Sequence, residues 1–476
     1  MKNLFSSFFI ILLTASFLMG QDFQVTNMGG YVVEAPKFAI ANGNAYLTFA
    51  TNTKLYKFPV TGPQSPISNP INFDPTFWGP SAVDIAALGD KVYTITYDFK
   101  STVWVAKIGY STNGGLDWTN YIVDTLTRGN WIPGRADLPK VIVSEQGIPY
   151  FFYYVFENSR DTSGLYLYTF GSHKKIDLNI PRARYEYGIA PFVVTQNNVD
   201  HLFVAYYIDS SYYFVHSTDM GNTFSQPRKI QTFWVMWPSD NWKPNFQIDN
   251  SGKLYFYYSY MDFGQPGQPP EHKMYHLVTT STDWGLTWSE PVQIDTNFYD
   301  IDFRVVQDKF IKSYIDMDNN IYLHSSVDLI NWSDRDRVNT VDSSVSGGFE
   351  TEIYTNKLAF AWRDKRTGND EIFYRLMEIP TNVKENIIPA NFTLYQNYPN
   401  PFNPVTTISF ELARKARTTL SIYDIFGKLV REIVNEELEP GKYNIEFNGS
   451  SLSSGVYYYQ LRSGNFSETK KMILIK

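Results

Sequence analysis

The stretch Ser281–Pro291, STDWGLTWSEP, is polar apart from a leucine and two tryptophans, and its spacing recurs in the chain. It returns as STDMGNTFSQP from Ser217 and, more loosely, as STNGGLDWTN from Ser111. In each copy the glycine can adopt positive φ in a tight turn, the Asp or Asn can accept backbone N–H groups, and the ring can be buried between sheets. A recurring loop predicts a recurring structural unit. The residues given this structural role are Ser111, Asn113, Gly115, Trp118, Ser217, Asp219, Gly221, Phe224, Ser281, Asp283, Gly285 and Trp288.

A longer phrase surrounds these loops: a short apolar strand, a turn, and a strongly aromatic strand. Its seven copies begin at Pro36, Pro80, Pro139, Pro191, Pro244, Asp302 and Gly348. The better copies add a third strand, the recurring loop and a fourth strand, so that a unit spans roughly 45–60 residues, as propeller blades do. The pattern predicts an all-β fold, a six- or seven-bladed β-propeller. Seven is favoured, and six requires the terminal units to share a blade.

The composition agrees with β-sheet and narrows the range of functions. Aromatic residues make up 17% of the 476 residues, and charged residues only 19%. Aromatic side chains pack well on pleated sheets. The net charge of −7 is spread thinly, which argues against a nucleic-acid partner. The chain has no cysteine, so disulfides, zinc–thiolate sites and cysteine nucleophiles are excluded.

The two ends of the chain differ from the repeats. Residues 1–20 combine Lys2, an apolar run and Gly20, and so predict a signal peptide removed after export. The repeats occupy residues 21–379, and a proline-rich segment at 380–392 predicts a linker. Residues 393–476 alternate as short strands do, which predicts a small antiparallel β-sandwich.

The recurring loop resembles the Asp-box, S-x-D-x-G-x-T-W, of sialidases and other exported propellers. Ser281–Trp288 matches every fixed position, and Ser217–Phe224 differs only in its final ring. A further segment from Ser326, SVDLINW, is one residue too short and is interpreted as a decayed hairpin. The resemblance implies a peripheral, structural box, and therefore a fold rather than an activity.

Residues 393–476 resemble the type A sorting domain of the type IX secretion system of Bacteroidetes and related bacteria. The resemblance implies a secreted or cell-surface protein whose partner is the type IX machinery. It rests on an ordered set of matching residues, among them Asn397, Tyr398, Pro399, Asn400, Pro401, Phe402, Asn403, Pro404, Gly427 and Gly455.

A ligand site is expected where the first strands of the units begin, because these strands surround one opening in a propeller. Aromatic faces, guanidinium groups and carboxylates there suit a sugar or an anionic saccharide. Ordinary packing between units explains the same residues equally well. The aromatic candidates are Trp78, Trp131, Tyr185, Trp242 and Tyr299. Charged residues beside the same strands include Lys243, Asp300, Glu350 and Glu352.

The residue at position 37 argues against sialidase activity. The family's first arginine lies where the first unit begins, and this chain has Lys37 there. Lysine is not an equivalent bidentate donor. Weak catalytic candidates for a glycoside hydrolase are Glu186, Tyr187, Asp302, Arg135, Arg184 and Arg304.

No other chemistry is indicated by the sequence. The DMDNN segment from Asp316 opens like a calcium loop but lacks its glycine and distal glutamate, so a polar turn is favoured. We therefore expect no metal and no cofactor, and a monomer. The functional expectation is an exported propeller that binds glycans or surface polymers. A glycoside hydrolase of sialidase-like fold and a structural or adhesive surface protein remain as alternatives.

Overall fold

The computed structural model describes residues 21–27, 36–50, 53–75, 82–100, 103–125, 139–155, 164–169, 174–181, 189–208, 211–232, 243–262, 273–296, 300–379, 392–438 and 440–475. All regular structure in these ranges is β-strand, in an all-β fold made of antiparallel sheets. No helix able to cross a membrane occurs within them. The chain forms two compact units, Met1–Val383 and Lys384–Lys476.

The N-terminal unit is propeller-like. Its described residues form seven four-stranded sheets, numbered here in chain order. The first strand of the chain is β1 (Phe23–Gln24). Sheet 1 contains β2 (Pro36–Ala41), β3 (Asn44–Phe49), β4 (Lys54–Pro59) and β5 (Ile71–Asn72). Sheet 2 contains β6 (Ala82–Leu88), β7 (Lys91–Lys100), β8 (Val103–Ser111) and β9 (Thr119–Thr125). Sheet 3 contains β10 (Lys140–Val143), β11 (Pro149–Val155), β12 (Gly164–Thr169) and β13 (Lys174–Pro181). Sheet 4 contains β14 (Ile189–Gln196), β15 (Val199–Ile208), β16 (Ser211–Ser217) and β17 (Arg228–Thr232).

The remaining three sheets follow the same meander. Sheet 5 contains β18 (Asn245–Ile248), β19 (Leu254–Asp262), β20 (Lys273–Ser281) and β21 (Val292–Thr296). Sheet 6 contains β22 (Ile301–Val306), β23 (Lys309–Ile315), β24 (Ile321–Ser326) and β25 (Asp336–Arg337). Sheet 7 contains β26 (Val345–Tyr354), β27 (Lys357–Asp364) and β28 (Glu371–Glu378), and β1 adds its fourth strand.

The first strands of the sheets, here called the inner strands, contact one another in a closed cycle. In sheet order, β2, β6, β10, β14, β18, β22 and β26 each touch the next, and β26 touches β2. The second strands carry buried aromatic and aliphatic side chains, which form the apolar layers between neighbouring sheets. The cycle leaves the inner strands facing a common centre.

The N-terminal segment supplies the outermost strand of sheet 7. Strand β1 pairs with β28, and the Asp22 side chain beside it is 1% exposed. Asp22 accepts hydrogen bonds from the Thr340 amide (2.7 Å) and hydroxyl (2.6 Å), and it pairs with Arg366 (2.7 Å) and Arg375 (3.4 Å). The start of the chain is thus tied to sheets 6 and 7.

The recurring loops are the turns between third and fourth strands of sheets 2, 4 and 5. Asp283 Oδ1 accepts from the Thr287 amide (2.8 Å) and Oδ2 from its hydroxyl (2.6 Å), while Ser281 Oγ accepts from the Gly285 amide (2.8 Å). These bonds, led by that of the Thr287 hydroxyl, lower the pKa of Asp283 to about 2. The loop from Ser217 repeats the same bonds.

The degenerate loop from Ser111 keeps the side-chain hydrogen bond across the turn, but the donor and the acceptor have exchanged places. The Asn113 amide nitrogen donates to the Asp117 carboxylate at 2.8 Å, where the other loops have a threonine hydroxyl donating to an aspartate. The replacement of the aspartate by Asn113 is therefore compensated by the replacement of the threonine by Asp117. The shortened segment from Ser326 also forms the turn, with Asn331 donating from its amide and side chain to Asp328 (2.7 Å each).

Each loop glycine lies against the third strand of the preceding sheet. A Cβ added to Gly115, Gly221 or Gly285 would meet Leu55, Leu167 or Phe214 respectively, at 2.2–2.8 Å. Trp288 packs against Phe214 of sheet 4 with ring centroids 5.6 Å apart. The loops therefore join neighbouring sheets at their outer part, away from the inner strands.

The C-terminal unit has two sheets around one apolar core. The three-stranded sheet contains β29 (Thr393–Leu394), β30 (Val405–Leu412) and β33 (Gly441–Asn448). The four-stranded sheet contains β31 (Ala416–Tyr423), β32 (Leu429–Leu438), β34 (Gly455–Ser463) and β35 (Phe466–Leu474). Phe410 from the first sheet and Tyr459 from the second are both fully buried in this core.

The sorting-motif residues lie along the edge of this unit. Asn397 is 2% exposed; its side chain donates to Thr406 Oγ1 at 3.0 Å, and its amide donates to the Tyr459 hydroxyl at 2.8 Å. The Phe402 amide donates to the carbonyl of Ile473 at 2.9 Å. The motif thus connects the start of the unit to its last strand.

Replacing Asp22 with alanine is expected to lower the free energy of unfolding by about 3 kcal/mol, because two arginines lose a buried partner. Urea denaturation of the full chain measures this loss. Asp342→Ala is the matched control: that carboxylate is 83% exposed and pairs with one arginine, so its loss should stay within about 1 kcal/mol. Equal losses in the two variants would mean that Asp22 does not tie the start of the chain to sheets 6 and 7.

Two glycine substitutions separate backbone strain from packing. Gly252 and Gly285 have φ of +83° and +80°, but a Cβ at Gly252 meets nothing within 4 Å, whereas one at Gly285 falls 2.4 Å from the Phe214 ring. Gly252→Ala should cost about 1 kcal/mol for its left-handed backbone. Gly285→Ala should cost about 1–3 kcal/mol more, because the core is overpacked. Denaturation midpoints of the two variants provide the comparison; equal losses would mean that the loop does not press on sheet 4.

Candidate functional site

Charged side chains from six of the seven sheets meet at the inner strands. We call this group the axial cluster. Its four cationic members are Lys37, Lys140, Lys243 and Arg304. Its five carboxyl members are Asp84, Asp300, Asp302, Glu350 and Glu352. Each lies on an inner strand or within two residues of its start.

Three ion pairs hold the cluster together. Lys37 of sheet 1 pairs with Glu350 of sheet 7, which joins the two ends of the cycle. Lys243 Nζ lies 2.9 Å from Asp300 Oδ1, between sheets 5 and 6, and Arg304 Nη2 lies 3.1 Å from Asp302 Oδ2 within sheet 6. The side chains of Lys37, Lys243, Arg304 and Glu350 remain 15–20% exposed. The cluster is enclosed but still reached by solvent.

Polar side chains also connect neighbouring inner strands. The Val141 amide of sheet 3 donates to Asp84 Oδ2 of sheet 2 at 2.9 Å. Arg304 of sheet 6 donates to the hydroxyl and carbonyl of Thr351 in sheet 7, at 2.9 and 2.8 Å, and the same hydroxyl bonds to Asp302. These contacts orient the charged groups, because each one bonds to a backbone that is itself in a sheet.

Lysines from three different sheets act on the carboxylate of Glu350. Burial by itself would raise the pKa of Glu350, but Lys37, Lys243 and Lys140 together lower it from 4.5 to about 2. These three lysines belong to sheets 1, 5 and 3, which are not neighbours in the cycle. Side chains from alternate sheets of a ring reach one carboxylate only at its centre.

Glu352, two residues along the same strand, behaves in the opposite way. Burial raises its pKa from 4.5 to about 7, the nearby charges of Asp302, Glu350 and Asp84 add to the rise, and Arg304 opposes it. Burial likewise raises the pKa of Asp84 and of Asp300. The cluster therefore holds a firmly ionised carboxylate and a carboxyl that changes charge near neutral pH.

The lysines are also unlike one another. Burial, followed by the charge of Lys37, lowers the pKa of Lys140. For Lys243 the lowering by burial is outweighed by Asp300, Glu350 and Asp302, which raise its pKa. Donors and acceptors of graded acidity thus lie side by side. Such a group can bind polar ligands or exchange a proton with them.

The sequence-derived site candidates divide into two groups. Asp302 and Arg304 lie in the axial cluster, in direct contact, and so do the four charged residues expected beside the inner strands: Lys243, Asp300, Glu350 and Glu352. The other catalytic candidates and all five aromatic ligand candidates lie outside the described residues: Arg135, Arg184, Glu186, Tyr187, Trp78, Trp131, Tyr185, Trp242 and Tyr299.

Asp84 and Lys140 were missed from the sequence, and Lys37 was noted only as a substitution. Each is a charged residue in an otherwise apolar inner strand, as in AVDIAAL and KVIV. That interruption is a usable signal, because a charge in a buried strand needs a partner. The partner of each lies on another sheet, which the linear sequence does not display.

The described residues contain no group of side chains placed to bind a metal ion. No three His, Cys, Asp or Glu side chains there are arranged to hold an ion. Asp316 forms a hairpin turn, accepting at Oδ1 from the amides of Asp318 (3.0 Å) and Asn320 (2.9 Å).

The C-terminal unit is identified by its family. Residues 396–476 match the secretion system C-terminal sorting domain, the sorting domain of the type IX system. Proteins with this domain are exported by that system, and this chain is accordingly a secreted or cell-surface protein. No curated protein sequence matches the chain.

Large parts of the chain are similar to several enzymes of known structure. Polysaccharide lyase Uly1 is 11% identical, with a TM-score of 0.47, over 76% of this chain and 93% of that chain. The sialidase of Trypanosoma rangeli is 12% identical, with a TM-score of 0.42, over 91% and 89%. The α-L-arabinofuranosidase Arb93A of Fusarium graminearum is 12% identical, with a TM-score of 0.40, over 71% and 99%. At these values the similarities identify no activity for this chain.

The two glutamates should give opposite pH effects on stability. A carboxyl whose pKa is raised on folding makes the folded protein less stable as pH rises from about 4.5 through 7. Glu352→Gln removes this effect. Between pH 4.5 and pH 8 its free energy of unfolding should therefore rise, relative to that of the parent, by on the order of 2 kcal/mol. The pKa of Glu350 is lowered, so its stabilisation is present above pH 4.5 and lost towards pH 2. Glu350→Gln should therefore be less stable than the parent at pH 7. Urea titrations at several pH values test both signs; a loss from Glu352→Gln at pH 8 would contradict the assignment.

Proposed function

We propose that this chain is an exported seven-bladed β-propeller that binds a saccharide at the axial cluster and is delivered by a C-terminal β-sandwich sorting domain. The observation that carries the proposal is the convergence of charged side chains from six sheets on one partly exposed group. A purely structural ring does not need so many ionisable groups at its centre, because apolar packing there would be at least as stable.

The blade count follows from taking each four-stranded sheet as one blade. Sheet 1 has four strands of its own, and β1 supplies the missing strand of sheet 7. The terminal units therefore do not need to share a blade, which favours seven over six. In the C-terminal unit, the common core of the two sheets favours a sandwich.

A hydroxyl-rich ligand suits the cluster better than a strongly charged one. Five carboxyls face four cationic groups, and Glu352 is half protonated near pH 7. The group is therefore close to electrically balanced. A sugar hydroxyl both donates and accepts hydrogen bonds, so it can bind carboxylates and ammonium groups together. A secreted or cell-surface protein can meet extracellular polysaccharides, which supports this ligand class.

A glycoside hydrolase is the second candidate, and one observation favours it. Glu352 with a pKa of about 7 and Glu350 with a pKa of about 2 differ as an acid and a base do in glycosidases. A sialidase is less favoured, because Lys37 replaces the arginine that the family resemblance implies and is already paired with Glu350.

Glycan arrays and product analysis on the purified full chain distinguish these functions. We expect neutral oligosaccharides to be retained without cleavage, and Lys140→Gln to weaken retention about 10-fold through the loss of a charge-assisted hydrogen bond. Lys229→Gln, an exposed change on outer strand β17, is the control and should bind as the parent does.

Each other outcome contradicts the binding proposal in a recognisable way. Product formation that is abolished in Glu352→Gln while retention persists would establish the hydrolase. Neither retention nor product across neutral and acidic glycans would favour a structural or adhesive surface protein.

A further inference from the structure

We propose that Glu350 is an internal counter-anion: it occupies a cradle of three lysines at the centre of the ring and thereby excludes saccharides that carry a carboxylate. The three lysines are Lys37, Lys140 and Lys243. The ligand class rests on the saccharide binding proposed above, whereas the cradle itself rests on the contacts of Lys37 and Lys243, together with the charge of Lys140.

The cradle is built from alternate sheets. Lys37 on β2 makes the direct ion pair with Glu350 Oε1. Lys243, before β18, bonds to the carbonyl of Phe349, the residue next to Glu350, and its ammonium group lies 4.5 Å from the centre of the Phe349 ring. Lys140 on β10 acts on the same carboxylate from sheet 3. Lys37 thus contacts the carboxylate directly, Lys243 contacts the backbone next to it, and the charge of Lys140 acts on it from sheet 3.

This arrangement is what a protein would present to a carboxylate of a ligand. All three lysines also have a second carboxylate: Asp300 pairs with Lys243, and the charge of Asp84 acts on Lys140 and Lys37. Glu350 is the anion that all three share. Its side chain is 15% exposed, so it lies at the solvent-reached part of the cluster. The protein's own carboxylate fills the position at which an acidic sugar would bind.

Competition with Glu350 disfavours an acidic ligand for two reasons. Glu350 is attached to the chain and loses no translational freedom on binding, whereas a free ligand does. An acidic ligand that binds without displacing Glu350 adds a negative charge to a group that already has five carboxyls. Neutral sugars meet neither obstacle. Glu350 is therefore the residue that sets the specificity for uncharged sugars.

The same reasoning explains the chemistry at position 37. The sialidase resemblance implies an arginine at this position. Here the cation is a lysine and its carboxylate is internal. The pair keeps the ring closed at its centre and leaves that cation unavailable for a substrate carboxylate.

The test is Glu350→Gln in the full chain, which keeps the shape and removes the charge. Calorimetric titration with acetate, methyl glucuronide and methyl glucoside measures the effect. We expect no binding of acetate or glucuronide to the parent, and an affinity for both in the variant that is at least 10-fold higher. Glu378→Gln is the matched control, because it removes a lysine-paired carboxylate from outer strand β28 of the same sheet; it should show no gain.

Two further variants protect the test against a folding defect. Glu350→Asp keeps the charge but withdraws it by one methylene group, and should give a smaller gain of about 3-fold. Adding Lys37→Met to Glu350→Gln removes both charges of the ion pair, and the gain should fall back towards the parent. A folded Glu350→Gln with no gain, or a parent that binds glucuronide as well as glucoside, overturns the inference.

The outcomes also separate this inference from the proposed function. If the parent retains no glycan but Glu350→Gln gains acetate, the cradle stands and saccharide binding fails. If the parent retains neutral glycans but neither Glu350 variant gains an anion, saccharide binding stands and the cradle fails.

Discussion

Closure of the sheets into a ring is the constraint on which the N-terminal unit depends, and the ion pair between Lys37 and Glu350 connects the first and last sheets at its inner edge. At the outer edge, β1 pairs with β28, and Asp22 ties the start of the chain to sheets 6 and 7. A ring of sheets has stable packing on every sheet only when it is closed, because an open ring leaves two apolar faces exposed. The electrostatics of the axial cluster follow from that closure, since only a closed ring brings alternate sheets within reach of one carboxylate.

The kind of contact changes from the outer turns of the ring to its centre. At the outer turns, the recurring loops satisfy their own backbone and press a glycine onto the preceding sheet. Between the sheets, buried aromatic rings make up most of the packing. At the centre, charged groups replace apolar ones. Because the outer layers stabilise the ring independently, the inner strands can carry groups whose value lies in binding rather than in stability.

The C-terminal unit has a core of its own and a defined task. Two of its motif residues are internal: Asn397 and Phe402 are buried and tie the start of the unit to β34 and β35 respectively. Tyr398, within the same motif, is 82% exposed. Much of the conserved-looking pattern that identifies a sorting domain is therefore required by the fold, and a smaller part is presented at the surface.

The sequence by itself determined the all-β class, the recurring loops and the export signal at the C-terminus, because each depends on residues close together in the chain. A serine, an aspartate and a glycine at fixed spacing build the same turn wherever they occur. It also indicated Asp302 and Arg304, since charged residues at the start of an inner strand are conspicuous. The tertiary structure alone decided that Lys37 pairs with Glu350, that the charges of Lys140 and Lys243 act on the same carboxylate, and that Glu350 and Glu352 differ in acidity. Those properties arise from burial and from charges on other sheets, over distances in sequence that no local pattern encodes.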